Sequence, residues 1–252
     1  MRLRAIRRDR AARVGAELFL FERVFDDCME RIASTDRRFE RALLIGCPDP
    51  SWPARLGAVA THLDYRDPGS LFADAAGGAV ISEDAWQAPP GSHDLVLAIG
   101  TLDTVNDLPL ALALIHHAMT GDGLFMGALS GGDTLPRLRT AMRAADALSG
   151  AAAPHVHPRI EPAALSPLLS ECGFERPVVD IERVQASYRS LGHLVSDLRR
   201  MGATNVLMDK PPPLTRAQAN AAMRAFAAAG DGKRTIERFE ILHFAAWTTA
   251  DG

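Results

Sequence analysis

The chain has 252 residues, a formal net charge of −3 and 47% hydrophobic residues, a composition typical of a globular protein. This balance provides no general reason to expect nucleic-acid binding, and no apolar run approaches the roughly 18 residues of a membrane span. Three scattered cysteines, Cys28, Cys47 and Cys172, predict neither a disulfide framework nor a metal site, so we expect a soluble protein of the reducing cytoplasm.

The first 13 residues form a basic arm that contains six arginines and lacks the apolar region of a secretory signal. We interpret it as a solvated segment, with contact to a phosphate-rich or acidic partner as the alternative. Apolar residues at helical spacing from Val14 to Ile32 then predict one long amphipathic helix. Its apolar stripe is expected to cover the core, or alternatively a cofactor cleft. Residues 1–35 are thus predicted as an N-terminal unit ahead of a domain at 36–252.

Strand and helix patterns alternate through the rest of the chain. Strands are predicted at 41–46, 58–64, 79–82, 94–100, 123–130, 177–184 and 237–248. Helices are predicted from Asp107, a plausible N-cap, to Met119, and at about 134–148, 163–172, 190–201 and 216–229. Such alternation predicts an α/β protein with a doubly wound, mostly parallel sheet and right-handed crossovers.

The turn after the first strand is unusual for this fold class. It reads Ile45-Gly46-Cys47-Pro48-Asp49-Pro50, at the place where doubly wound proteins make their first cofactor contact. One glycine remains, and the two prolines remove backbone N–H donors. The loop therefore matches neither the G-x-G-x-x-G dinucleotide fingerprint nor a phosphate-binding lysine loop.

Residues at the predicted strand ends suit an adenosine-containing ligand. Asp64 can accept the ribose hydroxyls, Glu83 or Asp84 can accept from an adenine amino group, and Gly100 permits close approach. Each also has an ordinary structural explanation, as a surface acid or a turn glycine. S-adenosylmethionine carries no phosphate, so a loop with few donors suits it better than a dinucleotide. The predicted cofactor-binding residues are Gly46, Cys47, Asp64, Tyr65, Glu83, Asp84, Gly100 and Thr101.

Four segments closely resemble one branch of the class I S-adenosylmethionine-dependent methyltransferases. The branch contains the methyltransferase-like assembly factor of mitochondrial complex I, linked to arginine hydroxylation of a complex I subunit, and its bacterial relatives. The carboxyl methyltransferases of biotin synthesis are more distant cousins. The segments are Asp94-Leu95-Val96-Leu97, Val105-Asn106-Asp107-Leu108-Pro109, Gly121-Asp122-Gly123-Leu124-Phe125 and Gly131-Gly132-Asp133-Thr134-Leu135.

The resemblance implies a seven-stranded, Rossmann-like sheet with a reversed last strand and S-adenosylmethionine as the cofactor. It also implies a helical insert at about 186–230 that covers the active site. Asp64 matches the family's ribose-binding acid. The first loop departs from the family's acidic-x-Gly-Cys-Gly-x-Gly pattern, and Asp103-Thr104 stand where the family has a His-Trp pair.

Three functions remain open from the sequence. The first, favoured because Asp64 is retained, is a methyltransferase with an altered pocket, in which Asp103 and Tyr188 face an unidentified acceptor. Methyl transfer depends mainly on positioning and exclusion of water, so the lack of an obvious base does not count against it. The second is a non-catalytic binding or assembly protein with a protein partner. The third, implied only by the relatives, is an arginine hydroxylase, although the sequence shows no iron-binding triad.

Overall fold

The first strand is built from a continuous apolar run. Ala42, Leu43, Leu44 and Ile45 are all fully buried, as expected for a central parallel strand covered on both faces. The computed structural model describes residues 2–208 and 212–249. The strands are β1 (Phe39–Ile45), β2 (Ala60–Asp67), β3 (Ala79–Val80), β4 (His93–Ile99), β5 (Met119–Ser130), β6 (Glu175–Tyr188) and β7 (Thr235–Trp247).

The helices lie before, between and after these strands in the alternating order expected of an α/β protein. Leu102–Thr104 adds one 3₁₀ turn after β4. The α-helices are α1 (Arg2–Val14), α2 (Phe19–Ser34), α3 (Trp52–Leu56), α4 (Ser70–Ala75), α5 (Leu108–Ala118), α6 (Pro136–Asp146), α7 (Pro162–Glu171), α8 (Leu191–Arg200) and α9 (Arg216–Ala228).

The seven strands form one sheet in the order β3-β2-β1-β4-β5-β7-β6. The first five strands are parallel, and β7 is antiparallel to both β5 and β6. Helices α2 and α3 cover one face of the sheet, and α5 and α7 cover the other. The fold class and the reversed last strand are therefore confirmed.

The helices α8 and α9 lie between β6 and β7, as the insert was expected to do. They pack with α6 around Leu194, Ala222 and Phe226 in a hydrophobic cluster of their own. The predicted division into an N-terminal unit at 1–35 and a domain at 36–252 stays a prediction. Residues 1, 209–211 and 250–252 of these units lie outside the described part of the chain.

The N-terminal prediction is wrong in two respects. The basic arm is the helix α1, in which Arg4 and Arg8 are buried, and therefore it is not a solvated segment. The long helix predicted from Val14 begins only at Phe19, because Gly15 takes a left-handed conformation (φ +86°) that separates α1 from α2.

The second strand is also longer than predicted. It continues to Asp67, because β1 and β2 stay paired up to Ile45 and Arg66. Asp64 thus lies inside the strand, and the third strand shrinks to two residues. None of the described helices combines the length and the apolar character that crossing a bilayer requires.

Candidate cofactor cleft

The strand-end cleft is the region beyond the carboxyl ends of β1, β2 and β4, bordered by Gly46, Asp67, Glu83 and Gly100. Parallel strands of an open sheet place their ligand sites at this edge. Gly46 is left-handed (φ +88°), and a Cβ there would lie 2.1 Å from the carbonyl oxygen of Ile99. A glycine is therefore required for the close approach of the β1 and β4 ends.

The loop after β1 uses its N–H donors within the protein. Gly46 N donates to the carbonyl of Arg66 at 2.7 Å, and Cys47 N donates to Asp67 Oδ2 at 3.3 Å. Pro48 and Pro50 have no N–H to offer. Burial, and to a lesser extent the charges of Asp67 and Asp49, raises the pKa of the Cys47 thiol to about 12.

The acid at the end of β2 is Asp67, and it is fully buried. Its carboxylate accepts hydrogen bonds from Gly69 N at 2.8 Å and from Arg8 Nε at 3.1 Å, in addition to the Cys47 amide. A second guanidinium nitrogen of Arg8 completes a buried ion pair. The carboxylate at the position that suits a ribose diol is therefore already bound within the protein, by Arg8 of α1 and by two loop amides.

Asp64 has a different environment from the one expected. It pairs with Leu43 of β1 in the register and lies three residues before the strand end. One carboxylate oxygen is 2.9 Å from Nε2 of the buried His93, and its side chain is about half exposed. Burial raises the pKa of the neighbouring Tyr65 to about 12. Asp64 and Tyr65 therefore lie within β2, before the cleft, and Asp67 is the acid at the end of the strand.

Glu83 lies at the cleft, as predicted, and is also bound by α1. It is fully buried, and Arg4 donates to both carboxylate oxygens, at 2.5 and 2.6 Å. Arg4 further donates to the carbonyl of Thr101 at 2.5 Å and to the hydroxyl of Thr104 at 2.8 Å. This guanidinium thus takes the carboxylate that the sequence suggested for an adenine amino group.

The remaining cleft residues serve the local structure. Asp84 accepts from the amides of Asn106 and Asp107, at 3.1 and 3.3 Å, and so ties its turn to the start of α5. Gly100 is left-handed (φ +67°), and a Cβ there would lie 2.3 Å from the Phe21 ring. The aromatic ring of α2 therefore occupies the close-approach space at Gly100.

Helix α1 is held in the cleft from its opposite side as well. Asp9 accepts from Leu71 N at 3.0 Å at the start of α4. The Arg8 guanidinium lies 4.8 Å from the centre of the Phe72 ring. Near the end of α8, Arg200 donates to the carbonyl of Gly15 at 2.9 Å. With α1 so placed, the two cavities left at Gly100 have volumes of about 60 and 50 Å³.

The two acceptor-side candidates are separated in the structure. Asp103 lies at the cleft, where it accepts from Ser130 N at 2.7 Å and lies 3.2 Å from a guanidinium nitrogen of Arg159. Tyr188 is buried among the helices of the insert, and burial together with the Asp197 charge raises its pKa. Tyr188 lines neither of the cavities at Gly100.

Sequence reasoning missed Arg4, Arg8 and Asp67. Two signals were available. Arg4 and Arg8 are four residues apart, so a helix places them on one face, and Asp67 precedes the turn-forming pair Pro68-Gly69. Within residues 2–208 and 212–249, no group of three or more His, Cys, Asp or Glu is arranged to hold a metal ion.

Curated relatives cover most of the chain. It is 31% identical to rat "Arginine-hydroxylase NDUFAF5, mitochondrial" over 92% of its own length and 71% of the relative's. It is 32% identical to "Malonyl-[acyl-carrier protein] O-methyltransferase" of Laribacter hongkongensis, over 71% of this chain and 59% of that protein. No protein-family model matches the sequence.

Solved structures show the same fold at low identity. The YcgJ protein of Bacillus subtilis superposes with a TM-score of 0.58 and 11% identity, over 88% of this chain and 97% of that one. Phosphoethanolamine N-methyltransferase 2 of Haemonchus contortus, solved with S-adenosylhomocysteine, superposes with a TM-score of 0.52 and 12% identity. That match covers 88% of this chain and 52% of the nematode enzyme.

Proposed function

The chain belongs to the family of the arginine-hydroxylase NDUFAF5. Within this family, we propose that it is a non-catalytic, methyltransferase-like binding protein. The observation that carries the proposal is the placement of α1. Its Arg4 and Arg8 take the two acids, Glu83 and Asp67, that an S-adenosyl ligand would need at this edge of the sheet. A shared fold alone does not imply a shared reaction.

At Gly100, the cleft in this conformation has no room for S-adenosylmethionine. Small-molecule sites have volumes of about 300–1,000 Å³, whereas the cavities at Gly100 hold about 60 and 50 Å³. Both acids are already neutralised by guanidinium groups, so a ligand would have to replace buried ion pairs.

The loop after β1 adds a second energetic barrier to cofactor binding. Pro48 and Pro50 present no N–H groups to a ligand carboxylate. Each charge-assisted hydrogen bond that is lost costs about 1.5–3 kcal/mol. Two such losses weaken binding by about a hundredfold or more, since 1.4 kcal/mol corresponds to a factor of ten.

The proposed binding of a protein partner is based on the relatives. The NDUFAF5 family supports a protein partner, in the manner of an assembly factor, and the hydroxylase activity in the relatives' name stays a hypothesis for this chain. The three cysteines are unpaired, which supports a cytoplasmic location as a further proposal.

A second candidate function is cofactor binding after α1 is displaced. It is favoured by the retention of Glu83 and Asp67 at the strand ends, where carboxylates suit an adenosine ligand. In this alternative α1 is a removable cover, and the protein becomes a methyltransferase only when a partner draws the helix away.

Calorimetric titration with S-adenosylhomocysteine tests both candidates. The full-length wild type should show no binding at about millimolar ligand, whereas a Kd of about tens of micromolar would overturn the first proposal. A double variant, Arg4→Gln with Arg8→Gln, tests the second candidate, because it releases both acids. The matched control, Arg10→Gln with Arg13→Gln, makes the same charge change on the exposed side of α1.

The pattern of results separates the candidates. Binding by the Arg4/Arg8 variant alone supports displacement of α1. Silence from the wild type and from both variants supports a cleft that has lost the cofactor. Circular dichroism and the unfolding midpoint establish that each variant retains its fold.

A further inference from the structure

A large cavity lies in the insert, apart from the acids of the strand-end cleft. It has a volume of about 410 Å³, and its walls come from α6, α8, α9 and the segment around Val156. Most of the lining is aliphatic, with Leu138, Met142 and Val195 as examples. Its size and apolar lining are those of a small-molecule site. Arg4 and Arg8 do not line it.

Arg159 is a buried charged group at the wall of this cavity. Its side chain is only 7% exposed, and its Nε has no hydrogen-bond acceptor among the described residues. One terminal nitrogen lies 3.2 Å from Asp103, which is an ion pair to a single oxygen. A guanidinium has five N–H donors, and buried polar groups are nearly always hydrogen-bonded. The Nε of Arg159 therefore lacks the acceptor that its burial requires.

The charged side chains that line the cavity are all basic. Its lining contains no aspartate or glutamate, while Arg159 and the exposed Arg199 both contribute to it. Burial, followed by the charge of Arg159, lowers the pKa of the neighbouring His157, and Asp103 opposes this effect. The lining thus combines an aliphatic surface with two basic side chains, of which Arg159 has an Nε donor that no acceptor satisfies, and this combination is complementary to an anionic amphiphile.

We propose that the insert cavity binds a small molecule with an apolar tail and a single carboxylate head, and that Arg159 binds the head. A carboxylate has two oxygens in the plane that suits the guanidinium fork, so it supplies the missing acceptor. The tail then lies between α6, α8 and α9, where it removes the aliphatic lining from water.

Decanoate is the probe, and decanol, with the same chain length and no charge, is its matched control. Calorimetry at pH 7.5 should show one decanoate bound per chain, with an affinity at least tenfold above that of decanol. Met142 and Met223 line the cavity. With ¹³C-methyl labelling of methionine, their NMR signals should therefore shift on binding. Met29, on α2, should not shift.

Three variants make the test specific. Arg159→Gln should weaken decanoate binding at least tenfold and leave decanol binding within twofold. Ala219→Phe, which places a ring in the cavity from α9, should abolish the binding of both probes. Arg224→Gln, on the same helix and outside the cavity lining, should change neither.

Equal affinity of the wild type for decanoate and decanol would overturn the proposal. So would an Arg159→Gln variant that binds decanoate as the wild type does, or an Ala219→Phe variant that still binds both probes. A change on binding in the signal of Met29, with no change in those of Met142 and Met223, would place the ligand elsewhere and would also overturn the proposal.

Discussion

Arg8 of α1 and Asp67 at the end of β2 form a buried ion pair across 59 positions of sequence. The pair joins the N-terminal helix to the strand end that would otherwise face a cofactor. Because both side chains are almost completely buried, each requires the other, and removing one partner leaves an uncompensated charge.

Arg8→Gln should therefore release α1 from the sheet. Breaking a buried pair costs about 3–5 kcal/mol, so the amides of α1 should exchange hydrogen about a hundredfold faster or more. Hydrogen-exchange mass spectrometry measures this, with Arg10→Gln as the exposed control on the same helix. Equal acceleration over α1 and the central strands would contradict a separate opening of the helix.

A second prediction concerns the contact between Gly100 and Phe21. Gly100→Ala should destabilise the fold by two effects, a left-handed backbone conformation that costs about 1–2 kcal/mol and an overpacked ring that costs about 1–3 kcal/mol. Gly77→Ala is the matched control, because Gly77 is also left-handed (φ +69°) and has open space around its Cβ. Urea unfolding of both variants should show the larger loss for Gly100→Ala. Equal losses would mean that the Phe21 ring moves freely away.

A third prediction concerns pH. Arg23 donates to Glu182 at 2.8 Å and thereby lowers the pKa of that carboxyl; burial opposes this effect and His243 adds to it. A lowered folded pKa means that the stabilisation is complete above the unfolded pKa of about 4.3 and disappears as the pH falls through the lower, folded pKa.

Glu182→Gln should therefore be less stable than the wild type at pH 6, and the two unfolding free energies should converge at acid pH. Urea titrations at several pH values measure the difference. Glu171→Gln, at the exposed end of α7, should follow the wild type throughout. If the difference in unfolding free energy between the wild type and Glu182→Gln were the same at all pH values, the titration of Glu182 would not be the source of that difference.

A fourth prediction concerns the three thiols. Burial raises the pKa of all three thiols, that of Cys47 to about 12. Cys28 and Cys47 are buried, whereas Cys172 is partly exposed. Because the thiolate is the reactive form, iodoacetamide at pH 8 should label Cys172 at least about tenfold faster than the other two. Peptide mass spectrometry reports each site, and denaturant should make the three rates similar. Faster labelling of Cys47 in the native protein would show that the loop after β1 opens.

Local patterns were sufficient for the central part of the fold. The apolar runs of β1, β4 and β5 predict buried parallel strands, and these strands form the middle of the sheet. Asp107 was predicted as an N-cap, and its side chain accepts from Leu110 N at 2.9 Å at the start of α5. Both signals operate within a few residues, so the sequence displays them directly.

The placement of the acids could not be read in the same way. Asp64 and Asp67 lie three residues apart in a segment that mixes polar and apolar residues. Which of them ends β2 depends on the pairing of Ile45 with Arg66. That pairing is a contact between strands, and a single sequence does not record it. The choice of Asp64 as the strand-end acid failed for this reason.

By itself, the sequence determined an α/β sheet, because apolar periodicity and turn residues are local properties of the chain. The reversed last strand was expected from the family resemblance and not from these patterns. The sequence also determined that the loop at Gly46 is poor in donors, because proline lacks an N–H in any fold. Only the tertiary structure decided what faces that loop. Arg4 and Arg8 belong to a segment whose charge predicts exposure, and their burial depends on Glu83 and Asp67, which lie 79 and 59 positions away. A buried charge is tolerated only where a distant partner compensates it, and folding alone brings such partners together.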